Sequence, residues 1–183
     1  MEKVVLPPQK PRLSDEEVMR KYPWASFGRV GGRKPNIITS LELKPEVMEE
    51  RNIHLQKKYQ ECKEKETRCE TIMMDDAEYA VVAFGSMARI AEKAVELARE
   101  NGIKAGLFRP ITLWPFPDKQ IADLCNHCKG ILVAEMNAGQ MIDDVRLAVN
   151  GRVPVKHYGR QGGIVPDPSE IEEELNKLRN YAK

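Results

Sequence analysis

The sequence has 183 residues, which is enough for one domain of ordinary size with some chain left over. Its 29 Lys and Arg residues nearly balance its 28 Asp and Glu residues, and this balance excludes the basic field that drives non-specific binding to nucleic acids. No apolar run approaches the ~20 residues of a membrane-spanning helix. Four cysteines without a recognisable secretory signal predict reduced thiols and a cytoplasmic protein.

The first 43 residues differ in composition from the rest of the chain. Five of the twelve prolines fall here, and each removes a backbone donor and biases its predecessor away from helix, so we expect little regular structure. Tyr22, Trp24 and Phe27 lie in the same stretch. Large aromatic side chains in such a segment indicate that it packs against something. That surface belongs either to the same domain or to a missing domain or partner.

Residues 44–70 are predicted to form one long helix, in which Pro45 suits the first turn because its missing N–H is not needed there. Its apolar side chains form a sparse stripe at a period near 3.5 residues: Met48, Leu55, Tyr59, Cys62 and Cys69. So thin a stripe cannot hold a helix alone in water. We therefore expect the helix to lie along the globular domain, along another subunit, or along both.

From residue 78 the chain alternates between short apolar runs and amphipathic segments. The predicted strands are residues 79–84, 103–108, 131–135 and 155–158. Helices are predicted to follow caps at Ser86 and Asp118, to begin near Gln140, and to begin at a capping box formed by Asp167 and Glu170.

Short connections between alternating strands and helices force parallel strands and right-handed crossovers. The sequence therefore predicts an α/β protein with three α/β/α layers and a mainly parallel sheet of four to five strands. An antiparallel edge strand is expected near residues 71–74.

Two local motifs are weak indicators of chemistry. The Gly85-Ser86 turn lies where dinucleotide-binding folds hold a pyrophosphate, but the run has one glycine and lacks the others of that pattern. A plain strand-to-helix turn is favoured there over a phosphate site.

Cys125 and Cys128 have the spacing of a redox pair, yet both fall at the C-terminal end of a predicted helix, where the helix dipole disfavours a thiolate. Two packed thiols are favoured over a redox pair or a zinc site.

Polar side chains follow the predicted strands at their carboxyl ends, where open parallel sheets bind ligands and partners. These residues are Arg109, Thr112, Glu135, Asn137 and Gln140. A structural role competes with a binding role, in which Asn137 holds a turn and Gln140 starts a helix. His157, beside Tyr158, is also more typical of a structural side chain, and no pair of nucleophile and base is visible.

Three segments carry a specific resemblance: residues 79–86, residues 109–117 with the distinctive Leu-Trp-Pro-Phe-Pro run that contains Trp114, and residues 135–141 with Glu-Met-Asn-Ala-Gly-Gln-Met. In this order they resemble the transketolase C-terminal-like domain in the α subunit of 2-oxoacid:ferredoxin oxidoreductases. The short form of the third segment looks most like the branched-chain type, which acts on 2-oxoisovalerate. The first 75 residues are similar to the tail of the preceding domain and a helical connector.

The resemblance implies an enzyme that decarboxylates a 2-oxoacid on thiamine diphosphate with Mg, passes electrons through iron–sulfur clusters to ferredoxin, and forms an acyl-CoA. It implies that these cofactors lie outside this chain, in a thiamine-binding α domain ahead of Met1, a β subunit and an iron–sulfur subunit. This chain would then be an assembly part without catalytic, cofactor-binding or metal residues, inactive alone. It would comprise a tail or linker (1–43), a connecting helix (44–75) and the transketolase-like domain (76–183).

The expected interface or ligand edge consists of residues after the three strands and in the second segment: Gly85, Ser86, Arg109, Thr112, Trp114, Glu135, Asn137 and Gln140. The alternative from the residues alone is a free-standing α/β binding or regulatory module with a small anionic ligand above Gly85 and Asn137. A thiol–disulfide enzyme using Cys125 and Cys128 is the third hypothesis.

Overall fold

A computed structural model of the protein describes residues 8–26, 28 and 32–182. In chain order its helices and strands are α1 (Asp15–Lys21), α2 (Pro45–Lys65), β1 (Cys69–Ile72), β2 (Tyr79–Ala83), α3 (Gly85–Glu100), β3 (Ala105–Pro110), α4 (Asp118–Leu124), β4 (Gly130–Glu135), α5 (Met141–Val149), β5 (Val155–Gly159) and α6 (Pro168–Tyr181). The chain divides into two compact units, Met1–Arg51 and Asn52–Lys183, and the boundary lies inside α2. None of the described helices is long and apolar enough to cross a membrane.

The strands form one sheet in the order β1-β3-β2-β4-β5. Strands β3, β2, β4 and β5 are parallel, whereas β1 pairs antiparallel with β3 and places Glu70 opposite Arg109. The predicted mainly parallel sheet is therefore confirmed, with its antiparallel edge strand about two residues earlier than expected. Strand β3 starts two residues later than the apolar run at 103–108 suggests.

Alternate side chains of the central strand β2 enter two separate cores, as the two-residue period of a strand requires. Val81 and Ala83 pack with the apolar faces of α3 and α6. Ala80 and Val82 pack on the other side with side chains of α4 and α5. All five residues of β2 are buried, which explains its continuous apolar run and confirms the three α/β/α layers.

The connecting helix α2 is shorter than predicted. It ends at Lys65 rather than at residue 70 because the following residues join the sheet. Arg68 donates its backbone N–H to Thr112 Oγ1 at 3.0 Å, and Cys69 pairs with Pro110 in β3. Cys69 is therefore part of a strand and not of the helical stripe.

Two of the predicted helix caps are wrong. Phe84, and not Ser86, is the N-cap of α3, and Gly85 follows it with a φ of +57°, a left-handed conformation that glycine adopts without strain. Pro117 precedes α4, and Asp118 is its first residue. At α6, by contrast, the predicted capping box of Asp167 and Glu170 is confirmed.

The first compact unit contains the helix α1, which the expectation of little regular structure missed. Ser14 Oγ accepts from the backbone of Glu17, and the Glu17 carboxylate accepts from the backbone of Ser14, so the two form a capping box. The rings of Tyr22 and Trp24 meet edge to face with centroids 5.8 Å apart. Phe27 lies outside the described residues, and what the segment packs against stays a prediction.

At one end of the sheet, β5 pairs with β4, and no described strand pairs with its other edge. Lys156, the second residue of β5, places its ammonium 4.0 Å from the centroid of the Tyr181 ring at the end of α6. The side chain of this lysine is thus held against the helix that covers the same end of the sheet.

Candidate functional site

The predicted site residues lie at the carboxyl ends of three adjacent parallel strands. Gly85 and Ser86 follow β2. A second set, Arg109, Thr112 and Trp114, lies at the end of β3 and in the loop after it, and a third set, Glu135, Asn137 and Gln140, lies at the end of β4 and in the loop after it. Since β2 lies between β3 and β4, the other two sets form separate corners of one sheet edge. We name them the Trp114 corner (Tyr59, Arg68, Arg109, Ile111, Thr112, Leu113, Trp114) and the Glu135 corner (Glu135, Asn137, Gln140, His157, Gly159).

The Glu135 corner is organised around a fully buried carboxylate. Glu135 is 0% exposed, and its oxygens accept from the backbone N–H groups of Met141 at 2.9 Å, Ile142 at 3.1 Å and Gln140 at 3.2 Å. Helix α5 begins at Met141, so these are its first, otherwise unpaired donors. A carboxylate also interacts favourably with the positive end of the helix dipole. The Glu135 side chain therefore starts α5.

The loop after β4 is held by the amide of Asn137, whose Oδ1 accepts from the backbone N–H of Gly139 at 2.7 Å. The proposed structural role of Asn137 is thus confirmed. A Cβ on Gly159 would lie 2.3 Å from the Asn137 carbonyl oxygen. Only glycine, which has no Cβ, therefore lets the backbone of β5 approach this loop so closely.

His157 faces the same carboxylate but does not bond to it. Its Nε2 is 3.6 Å from Glu135 Oε1, which is too long for a hydrogen bond. The backbone N–H of Arg160 donates to the Glu135 carbonyl oxygen at 3.2 Å and joins the end of β5 to the end of β4. Among the described residues, His157 therefore has no nucleophile to activate and no carboxylate that is hydrogen-bonded to it.

The Trp114 corner is fixed by Thr112. Its hydroxyl donates to the Pro115 carbonyl at 2.8 Å and accepts from the Arg68 backbone, while the Arg68 carbonyl accepts from the backbone N–H groups of Ile111 and Thr112. Arg109 bonds to Glu70 across the β1–β3 pair at 2.6 Å. The polar candidates at this corner are therefore used in joining β1 to the loop after β3.

The apolar side chains at the same corner remain exposed. The Trp114 indole is 57% exposed, and its ring meets the Tyr59 ring of α2 edge to face with centroids 5.7 Å apart. Ile111 and Leu113 are about half exposed. A groove of about 550 Å³ runs beside Trp114, lined by Gln60, Lys63, Glu64, Thr67, Pro115, Phe116, Asp118, Lys119 and Gln120. The corner is thus a rigid base that carries an exposed apolar surface.

Tyr59 was not among the predicted site residues. The sequence places it in the apolar stripe of α2, but nothing local to either residue indicates that it contacts Trp114, because the two are far apart in the chain.

The Gly85-Ser86 turn is exposed, and a Cβ on Gly85 would meet no heavy atom within 4 Å. The predicted role of this turn at an interface stays a prediction.

The cysteine pair has the chemistry of packed thiols. Cys125 is the C-cap of α4, and Cys128 is buried with its Sγ 3.8 Å from the Ala77 carbonyl oxygen. Burial raises the pKa of Cys128 to about 11 and also raises the pKa of Cys125. A raised pKa leaves little thiolate at neutral pH, so neither sulfur is activated as a nucleophile.

The sequence from residue 77 to residue 171 matches the family described as pyruvate:ferredoxin oxidoreductase core domain II. This match covers more than half of the chain. The chain belongs to this family. The Leu-Trp-Pro-Phe-Pro run and the Glu135 corner both lie inside the matched region.

Relatives agree with the family and add detail. Ketoisovalerate oxidoreductase subunit VorB of Methanothermobacter thermautotrophicus is 39% identical over 94% of this chain and 49% of the relative. The 2-oxoglutarate synthase subunit KorA of Methanothermobacter marburgensis is 36% identical over 57% of this chain and 27% of the relative. The chain spans about half the length of the VorB relatives that it matches.

Solved structures share the fold at low sequence identity. The 2-oxoglutarate:ferredoxin oxidoreductase from Magnetococcus marinus superposes with a TM-score of 0.65 at 18% identity, over 81% of this chain and 27% of that chain. A split gene transketolase superposes with a TM-score of 0.55 at 16% identity, over 63% and 42% of the two chains. The predicted resemblance to 2-oxoacid:ferredoxin oxidoreductases and to the transketolase-like fold is therefore confirmed.

Proposed function

We propose that this chain is the non-catalytic assembly part of a thiamine-diphosphate-dependent 2-oxoacid:ferredoxin oxidoreductase of the branched-chain type. The complete enzyme would convert 2-oxoisovalerate and CoA to an acyl-CoA and pass the electrons to ferredoxin. The family match supports the enzyme class, and the ketoisovalerate oxidoreductase relatives, similar along 94% of the chain, support the substrate. Those relatives are about twice as long, which supports a division of labour with further polypeptide.

The observation that carries the assembly role is the exposed apolar surface of the Trp114 corner. Aromatic and aliphatic side chains clustered on a rigid base are the usual centre of a protein–protein interface. Trp114, Leu113 and Ile111 follow one another along one loop, and hydrogen bonds of Thr112 fix that loop. This surface suits contact with another domain or subunit better than contact with water.

The Glu135 corner supports the same choice over a free-standing module for a small anion. An anion above Asn137 would need the N-terminal donors of α5, and the Glu135 carboxylate already accepts from them. A second negative charge placed there would be repelled by the first. The geometry therefore favours contact through the apolar corner.

The described residues do not fit a metal ion or an iron–sulfur cluster. No group of three or more His, Cys, Asp or Glu side chains in residues 8–26, 28 and 32–182 could hold a metal ion. An iron–sulfur cluster needs several cysteine thiolates together, and burial raises the pKa values of Cys69, Cys125 and Cys128. We place thiamine diphosphate, Mg and the clusters in other domains and subunits, and the whole complex in the cytoplasm.

The test compares two leucines that differ in location. The chain is expressed together with the thiamine-binding and iron–sulfur polypeptides of the oxidoreductase from its source organism, and both co-purification and CoA-dependent viologen reduction by 2-oxoisovalerate are measured. Leu113→Asp should abolish co-purification and activity because a charge enters the interface. Leu147→Asp, on the exposed side of α5 with the leucine 80% exposed, should preserve both.

The isolated chain should show no viologen reduction under the same conditions. Turnover by the isolated chain would contradict a non-catalytic role. Equal co-purification of the Leu113→Asp and Leu147→Asp variants would contradict an interface at the Trp114 corner.

A further inference from the structure

The opposite edge of the sheet carries a row of charged residues that the assembly role does not use. Glu78, Lys104 and Lys129 lie just before β2, β3 and β4, so they sit side by side at the amino ends of these strands. Lys129 bonds to one oxygen of Glu78, and Lys104 Nζ is 4.0 Å from the other. The bond to Lys129 lowers the pKa of Glu78, so its carboxylate stays ionised. The single carboxylate of Glu78 is thus shared between two ammonium groups.

A third cation, Arg179, lines the same groove. It lies in the last turn of α6, and the groove of about 410 Å³ beside it is bordered by Glu78, Tyr79, Gly102, Ile103, Lys104, Lys129 and Ala182. Within the described residues, Arg179 has no ion pair, and its Nε is buried without an acceptor. A buried Nε cannot reach a ligand, so the donors available in the groove are the Nη groups of Arg179, which have no hydrogen-bond partner among the described residues.

Arg99 shows how the fold provides acceptors for the guanidinium donors of an arginine that has a purely structural role. It lies in the last turn of α3, and its guanidinium donates to the carbonyl oxygens of Ala105 and Met73 and to Asp76, each at 2.6 Å. The dipole of a helix C-terminus favours a cation in both places. It accounts for the presence of Arg179 but not for the lack of acceptors around it.

We propose that this groove binds the phosphate group of a small molecule. Three cations around one carboxylate leave a net charge of +2, which matches a phosphate dianion. Phosphate oxygens only accept hydrogen bonds, and the unpaired donors of Arg179 only donate them. The volume of the groove lies within the range of small-molecule sites. The inference does not depend on the proposed oxidoreductase role.

The test is a titration of the 183-residue chain with inorganic phosphate at constant ionic strength, followed by backbone amide NMR. Saturable shifts are expected at residues 78–79, 103–104, 129 and 179. Arg179→Gln should weaken binding at least tenfold. Lys177→Gln, on the same helix and already paired with Glu174, is the matched control and should leave binding unchanged.

Glu78→Gln separates binding from folding because it should act in the opposite direction. It removes the competing carboxylate and should strengthen phosphate binding several-fold, which a misfolded variant could not do. Shifts that do not saturate, or that persist unchanged in Arg179→Gln, would overturn the site. Acetate that binds as tightly as phosphate would overturn the assignment of a phosphate group.

Discussion

At the Glu135 corner a buried carboxylate meets three backbone N–H groups, whereas at the Trp114 corner a half-exposed indole stands on a loop whose polar groups are already paired. Both corners belong to the same edge of the same sheet. At each of them most polar side chains bond to the protein itself, and two buried groups, Nε2 of His157 and Nε of Arg109, have no partner among the described residues. What remains for a partner is the apolar surface of the Trp114 corner.

This difference bears on how strand ends in parallel sheets are interpreted. Polar residues at carboxyl ends are often taken as ligand contacts, because ligands of open α/β sheets bind there. Glu135 and Asn137 show the other use of the same position, which is to begin the next helix and to hold the loop between. A polar group that has no partner within the protein and is accessible to a ligand is a better indicator of a site than a polar group alone.

The largest effect should come from Glu135→Ala. Three helix donors would lose their acceptor inside the protein, so we expect a loss of about 3 kcal/mol in the free energy of unfolding. Urea denaturation followed by circular dichroism measures it. Glu92→Ala on the exposed side of α3 is the control and should change stability by less than about 0.5 kcal/mol. Similar values for both variants would remove the structural role assigned to the Glu135 corner.

Gly159→Ala should have the next largest effect. The new methyl group would lie 2.3 Å from the Asn137 carbonyl oxygen, which is backbone and cannot easily move, so we expect a loss of about 2 kcal/mol. In Gly130→Ala the methyl group would meet the end of the Leu178 side chain at 3.0 Å, which can shift. The melting temperature of Gly159→Ala should be lower than that of Gly130→Ala, and the reverse order would contradict a tight approach of β5 to the loop after β4.

Trp114→Ala should affect the isolated chain much less than the complex. The indole is largely exposed, so global stability should fall by about 1 kcal/mol, chiefly from the lost contact with Tyr59. Hydrogen exchange should accelerate in the C-terminal half of α2 around Tyr59. Trp24→Ala, whose described ring contact is Tyr22, should leave exchange in that segment unchanged. A loss near 3 kcal/mol would mean that Trp114 is a core residue instead of an interface residue.

Arg109→Gln should have the smallest effect. It removes a partly exposed cross-strand ion pair with Glu70, which contributes about 0.5 kcal/mol at low salt. The difference between the variant and the wild type should shrink in 1 M NaCl, because salt screens exposed charges. Denaturation at two salt concentrations measures this. A loss that is large and independent of salt would show that Arg109 does more than join β1 to β3.

Local signals in the sequence predicted the layers, the central strands and the capping box of α6. The same signal is present at Ser14 and Glu17, where it forms one short helix inside a stretch for which the prolines led us to expect little regular structure. The end of α2 was not predictable locally, because Cys69 leaves the helical pattern only to pair with Pro110, far along the chain. The start of α3 was misplaced because Ser86 has a side chain suited to a cap, whereas the N-cap in the structure is Phe84, which has no capping side-chain bond and lies two residues earlier.

The candidate site was predicted by position and not by contact. Sequence patterns placed Trp114, Glu135 and Asn137 at strand ends, where the structure has them. They could not tell which of these side chains would be buried. That distinction depends on the approach of β5 at Gly159 and of α2 at Tyr59, which are tertiary contacts.

Lys156, the second residue of β5, has a consequence for behaviour in concentrated solution. A sheet edge without a strand partner is a template for adding strands of other molecules, and charged side chains on such an edge oppose that addition. The contact of Lys156 with the Tyr181 ring holds this charge on the side of β5 that α6 covers. A lysine on the last strand opposes the addition of further strands, so we expect copies of the chain to associate through the apolar Trp114 corner before they associate through β5.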